Sequence, residues 1–237
     1  MRNVVALTQR ELSAYLYSPI AYLAGFAFLL LTGLLFIYTT FIPGQESTVT
    51  PLFTAMASAF VLCLPILTMR LLSDEYATGT IETLMTAPVK DVEVVLSKFL
   101  GVWLFYCMLL APTLIHVALI AVYGQLDWGV TLVAYLGMLL LGALYAAVGV
   151  FASACTRYQL VAAIFGVGLL AALTFLTDFM SRQWPGMRHI LAYLNVGGQF
   201  DDFSQGFFDT TALVYFVSGT AFFLFLASKV LESKRWR

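Results

Sequence analysis

Charged side chains are scarce in this sequence, and their scarcity excludes more than any motif does. Only 11% of its residues are Asp, Glu, Lys or Arg, against 61% hydrophobic, where a soluble domain carries about 25% charged residues. Mean hydropathy is +0.91, so a water-soluble globular chain is excluded and a membrane protein is indicated. The three cysteines, Cys63, Cys107 and Cys155, lie in or beside apolar runs, and their spacing gives no disulfide framework or thiolate metal site. The two histidines, His116 and His189, have no acidic neighbour at metal-ligand spacing. There is no Gly-Lys pair, hence no P-loop and no cradle for ATP, and no Gly-x-Ser-x-Gly. No apolar run carries an acid at its middle, which argues against an ion-coupled transporter. An integral membrane enzyme would need a cluster of ionisable groups at one depth, and only His116 is on offer. No cofactor and no nucleic-acid partner are expected.

What the sequence does hold is a series of apolar runs near or above the roughly 20 residues that cross a bilayer as a helix. They predict six spans, at 20–42, 52–72, 99–123, 130–154, 160–177 and 212–228, in an all-α integral membrane protein forming one domain over 1–237. Ser18-Pro19 gives the first span a cap and a first-turn proline. Pro65 in the second span and Pro112 in the third each remove a backbone donor and are candidate bending points. His116 is a candidate intramembrane polar contact; a neutral histidine bonded between helices is the plainer alternative. In the fourth span Gly142, Ala146, Gly149 and Ser153 recur at small-residue spacing, for close packing within the subunit or at a dimer seam.

Residues 3–17 predict an amphipathic helix on the membrane surface. Val4, Val5, Leu12, Tyr15 and Leu16 gather on one side, and Leu7 and Glu11 sit awkwardly at the boundary. With six spans both termini share a side. Arg2, Arg10, Arg70, Lys90, Lys98, Arg157, Lys229, Lys234, Arg235 and Arg237 fall on it, and only Arg182 and Arg188 fall on the other. That asymmetry predicts cytoplasmic termini.

The long polar interruption between the second and third spans predicts a rigid peg at 79–87. Gly79 breaks the preceding helix, and Thr80 caps a new one with Glu82 in its first turn. Ile81, Leu84, Met85 and Pro88 share one face, and Asp91 caps the helix that leads into the third span. On the opposite side of the membrane, 178–211 predicts a hairpin of two short amphipathic helices at or dipping into the outer leaflet, the second with Phe200, Phe203 and Phe207 on one face and Asp201 and Asp202 solvated. A plain cap and a substrate exit fit it equally.

This order of parts resembles a type-2 ABC transporter permease. Glu75, Gly79, Thr80, Glu82, Leu84, Thr86, Ala87 and Pro88 are similar to that family's recurring acid, Gly-Thr, acid, Leu and Thr-Ala-Pro pattern. Arg10-Glu11-Leu12 with Ser18-Pro19, and the stretch 200–209, look closest to its gliding-motility-associated branch. The resemblance implies an N-terminal elbow helix and a coupling helix at 79–87. The latter docks on a separate ABC ATPase subunit, which binds the ATP, with Ile81, Leu84 and Met85 in contact and Glu75 and Glu82 as polar anchors. It also implies a second permease subunit, an accessory membrane or periplasmic subunit, and a place in a bacterial inner membrane, exporting a cargo that the aromatic, nearly uncharged interior suits to be lipidic or amphipathic. A non-transporting scaffold or anchor subunit is the alternative.

Overall fold

The computed structural model describes residues 2–40, 49–81, 90–124, 126–184, 186 and 188–235. In chain order its helices are α1 (Arg2–Leu16), α2 (Pro19–Thr40), α3 (Thr50–Thr68), α4 (Ser73–Thr78), α5 (Asp91–Leu110), α6 (Leu114–Tyr123), α7 (Trp128–Cys155), α8 (Gln159–Ala171), α9 (Thr177–Gln183), α10 (Arg188–Leu194), α11 (Val196–Ser204) and α12 (Thr210–Arg235). Among the described residues six stretches are long and apolar enough to cross a membrane: Pro19–Tyr38, Thr50–Thr78, Asp91–Tyr123, Trp128–Cys155, Gln159–Gln183 and Thr210–Lys234.

Two stretches depart from plain α-geometry. At Ala111–Thr113 the third span narrows to a single 3-10 turn around Pro112, whose missing N–H interrupts the ladder. At Ala172–Leu176 the fifth span widens into a π-turn with no proline to announce it. Through Pro65, by contrast, α3 stays α-helical for one more turn before the chain bends at 69–72. The fifth stretch runs on to Gln183, so 178–183 belong to a helix and not to the hairpin expected there. Asp91 is the first helical residue of α5, and Lys90 holds the cap position, where its N–H donates to Glu93 Oε2 at 3.1 Å.

The bundle is built around α7. Two thirds of its most apolar window (67%) is buried inside the protein, against 17% for α12. Small residues allow this. A side chain at Gly142 would collide with the Tyr106 ring, one at Gly149 with Thr68, and one at Gly137 with Phe203. The small-residue stripe is therefore a seam within the subunit. Tyr106 donates to Met138 O at 2.7 Å and Trp103 Nε1 to Leu139 O at 3.2 Å, so α5 is pinned to α7 by its aromatic residues as well as packed on it.

The buried side of α1 differs from the face expected. Thr8 is buried and Val4, Leu7, Glu11, Leu12 and Tyr15 are half-buried, an i, i+3, i+4 stripe against α5, while Val5 and Leu16 are exposed. On the far side, α11 drives Val196, Phe200 and Phe203 into the bundle, where they are fully buried, with Asp201 and Asp202 outward. It is an inserted wedge and not a surface helix. Asn195 starts it by accepting from Gly197 N at 3.0 Å, and Thr50 Oγ1 donates to Ser204 O at its end. Gly206, at φ +87°, then turns the chain past Val130.

The Tyr106 ring is tethered by its hydroxyl and cannot swing aside. Gly142→Val is accordingly expected to destabilise by about 1–3 kcal/mol through overpacking. Gly168→Val, at a site with open space around it, should stay within about 0.5 kcal/mol. Thermal unfolding of the purified protein in detergent measures both.

Candidate functional site

The polar chemistry of the described residues concentrates at the end of the bundle where α1, α4 and the start of α5 meet. The six-residue α4 is too short to hold itself together, and α7 holds it. Ser153 Oγ, fully buried, accepts from Leu72 N at 3.0 Å and Ser73 N at 3.1 Å and donates to Met69 O at 3.1 Å. Those two amides have no intrahelical partner, so Ser153 acts as a cap supplied from another helix. At its other end α4 stops at Gly79, whose φ of +73° is the left-handed conformation that favours glycine.

Fixed in this way, α4 aims three consecutive side chains at three neighbours. Asp74 pairs with Arg70 Nε at 3.0 Å and accepts from Gln159 Nε2 at the start of α8. Glu75 Oε1 lies 2.8 Å from Lys98 Nζ on α5. The Tyr76 ring lies 3.9 Å under Lys234 Nζ, which also donates to Ala154 O at 2.8 Å. The tail of α12 is thereby tied to both α4 and the end of α7.

Lys98 is the centre of the cluster. Its side chain is 2% exposed, and its ammonium also contacts Glu11 Oε1 on α1 at 3.3 Å. Arg10 Nη2 closes the network, 2.8 Å from Glu11 and 3.6 Å from Glu75. Hydrogen bonding to Glu11 raises the Arg10 guanidinium further above its ordinary value, against an opposing effect of burial. Two cations and two carboxylates balance, which is what allows an ammonium to sit out of water. Gly101 makes the approach of α1 possible, since a Cβ there would fall 2.7 Å from that of Glu11. Tyr15 completes the contact by stacking on Phe105 at 5.1 Å and donating to Leu67 O at 2.9 Å, a carbonyl at the frayed end of α3. Burial pushes its phenol up, with Glu11 adding and Arg70 opposing.

Of the residues singled out from sequence, Glu75 is in this cluster and faces inward. Gly79 and Thr80 follow it exposed, Thr78 and Thr80 sharing a hydroxyl contact at 2.9 Å, and Ile81 is buried. Glu82, Leu84, Met85, Thr86, Ala87 and Pro88 lie outside the described residues. Pro65 is buried against Gly166 of α8, and Pro112 marks the 3-10 turn. His116 is remote from the charges: its ring lies 4.7 Å from that of Phe36, and Nδ1 is 3.3 Å from Thr113 O. Sequence reasoning missed Glu11, Lys98, Ser153 and Lys234 as a site. A signal was present in two of them, an acid on the apolar stripe of α1 and a lysine inside the apolar face of α5, opposite charges that need each other to be buried.

Lys98→Met is expected to cost about 3–5 kcal/mol, because it leaves buried carboxylates without their ammonium. Adding Glu11→Gln and Glu75→Gln to it should recover a large part of that loss. Chemical unfolding of wild type, the single variant and the triple variant in detergent is the check, and a silent Lys98→Met would refute the burial of this charge.

Comparison with known proteins gives one family. The model of the ABC-2 family transporter protein family matches residues 36–231, from the end of α2 to the last turns of α12. A search of curated proteins finds no match. The matched region takes in α4, Lys98, Ser153 and five of the six apolar stretches in full or nearly so, and leaves α1 outside it. A family match over most of the chain, together with six helices among the described residues that are long and apolar enough to cross a membrane, makes this a multi-pass, non-catalytic permease subunit, and the chain belongs to the ABC-2 transporter family.

Proposed function

We propose that this chain is the membrane half of an ATP-driven exporter, taking its power stroke through the 79–87 loop from a separate ATPase subunit. The observation that carries the reading is the Lys98 clamp. The loop hangs between two stems, α4 before it and α5 after it, and Glu75–Lys98 joins those stems directly while Glu11 adds α1. A force on the loop therefore moves α1, α4 and α5 as one body. Ser153 and Lys234 pass it to α7 and α12.

In this reading Leu84 and Met85 contact the ATPase and Glu82 anchors them, while Ile81, buried in the subunit's own core and not the docking contact expected of it, and Glu75 lie behind the docking surface. The 3-10 turn at Pro112 and the π-turn at 172–176 are the places where the outer halves of the spans bend independently of the driven end. The clamp end faces the cytoplasm of a bacterial inner membrane, as the distribution of Lys and Arg supports. Two such permeases work with two ATPases and with an accessory subunit, and the cargo is lipidic or amphipathic, which the aromatic, uncharged interior favours.

The test is co-purification with the ATPase encoded beside this chain, followed by ATPase assay in lipid. A Leu84→Asp/Met85→Asp variant should insert and fold yet lose the ATPase, since two carboxylates buried in a docking groove cost several kcal/mol, roughly a thousandfold in affinity. Retention of the ATPase by the double variant would defeat the coupling reading in favour of a scaffold. Lys98→Met, if it folds, should hold the ATPase but uncouple hydrolysis from transport.

A further inference from the structure

Cations and carboxylates answer one another over most of this end of the bundle, and the exception lies at the turn between α7 and α8. An open cavity of about 420 Å³ there is lined by Tyr76, Cys155, Thr156, Arg157, Tyr158 and Lys234. It holds two cations and no acid. The carboxylates nearest along the chain are engaged elsewhere, Asp74 with Arg70, Glu75 with Lys98 and Glu232 with Lys229. Arg157 is exposed, its guanidinium 5.8 Å from the Tyr158 ring, with no carboxylate paired to it among the described residues. Lys234 donates to Ala154 O and lies over the Tyr76 ring, which leaves its ammonium a third proton. Thr156 Oγ1 accepts from Tyr158 N at 3.2 Å and keeps its own O–H to donate.

The apolar surface leading to this cavity is a groove. Both α8 and α12 pack on α7, yet they scarcely touch each other. The floor between them is Phe151, three residues before Ala154 and so within one helical turn of the Lys234 ammonium's anchor. Phe165 on α8 and Phe223 on α12 flank it, their rings 6.1 Å and 5.9 Å from its own. Phe165 is 43% exposed, and Leu160, Val161 and Ile164 on the same helix are exposed as well.

We infer that the groove and the cavity together bind an anionic glycerophospholipid, its phosphate on Arg157, Lys234 and Thr156 and an acyl chain over Phe151 between Phe165 and Phe223. Basic pockets between spans at a membrane surface suit such headgroups, and a guanidinium bonds phosphate with the help of charge. Charge selects the headgroup. A zwitterionic phospholipid carries the same phosphate but brings its own ammonium up to two cations that no carboxylate offsets. A free phosphate would answer the cations and leave the groove empty. The bound phosphate would join the start of α8 to the tail of α12. None of this requires the ATPase partner, so it stands or falls apart from the transport reading.

The full chain is reconstituted in vesicles of equimolar phosphatidylglycerol and phosphatidylcholine with identical acyl chains, re-extracted in mild detergent, and its retained lipids are measured by mass spectrometry. Wild type should retain the glycerol lipid roughly thirtyfold over the choline lipid, the combined worth of two basic side chains at an anionic headgroup. Arg157→Gln, at an exposed position, should cut that preference about fivefold with the unfolding temperature unchanged. Arg157→Gln/Lys234→Gln should return it to the ratio of the vesicle. Lys229→Gln removes the same charge from the same end of α12 but outside the cavity, and should leave the preference intact. Equal retention of both lipids by wild type, or a preference untouched by Arg157→Gln, overturns the proposal. An equal loss in Lys229→Gln overturns it too, because net charge and no site would then be at work. So does displacement of the lipid by millimolar inorganic phosphate, which would make the cavity a site for a free anion.

Discussion

The ammonium of Lys98 sits 2.8 Å from Glu75 and 3.3 Å from Glu11 with almost no water around it. A charge in that position tolerates no slack. Moving either carboxylate away by an ångström or two would leave a desolvated cation, a cost of several kcal/mol that nothing in the surrounding apolar helices could offset. Three segments far apart in sequence are therefore held at one distance from each other. Their approach needs a glycine, and Gly101 supplies it one turn along from Lys98. It also needs α4 to be a fixed object despite its six residues, which Ser153 achieves by capping it from α7.

Away from the clamp the bundle has a different character. Between α5 and α7 the contacts are rings set against glycine, a close fit without charge, and the helices there are interrupted by a 3-10 turn in the third span and a π-turn in the fifth. At the opposite end Phe200 and Phe203 wedge α11 between α7 and the last span. One end is thus locked by electrostatics, the other filled by aromatic packing, and the departures from α-geometry lie between them. In the proposed reading the charged end takes the force and the spans beyond it bend.

The six spans were legible in the sequence because a bilayer imposes a length and a composition that no packing detail can override. Gly79 as the end of a helix was legible for a similarly local reason, since few residues other than glycine adopt its positive φ. The orientation of α1 was not. An amphipathic pattern puts Val5 and Leu16 on the apolar side and leaves Glu11 at its boundary, and it has no way of knowing that Lys98 waits on the far helix to neutralise that acid. For α11 the same pattern was correct about Phe200 and Phe203, wrong about Phe207, which lies past the helix end and is exposed, and silent about whether lipid or protein would cover the face. The π-turn at 172–176 carries no sequence mark at all.

What the chain decided alone, then, was whatever depends on a residue and its near neighbours: membrane residence from hydropathy, the number of crossings from run length, helix ends from glycine and proline. Tertiary structure decided the rest. Lys98 and Glu11 are 87 positions apart, and neither can be buried until the other arrives, so their meaning as a pair exists only once α1 has docked on α5. Ser153 is a small residue in a stripe until Leu72 and Ser73 bring it two bare amides. Charge neutralisation and hydrogen-bond satisfaction are properties of pairs, and only the fold determines which pairs are made.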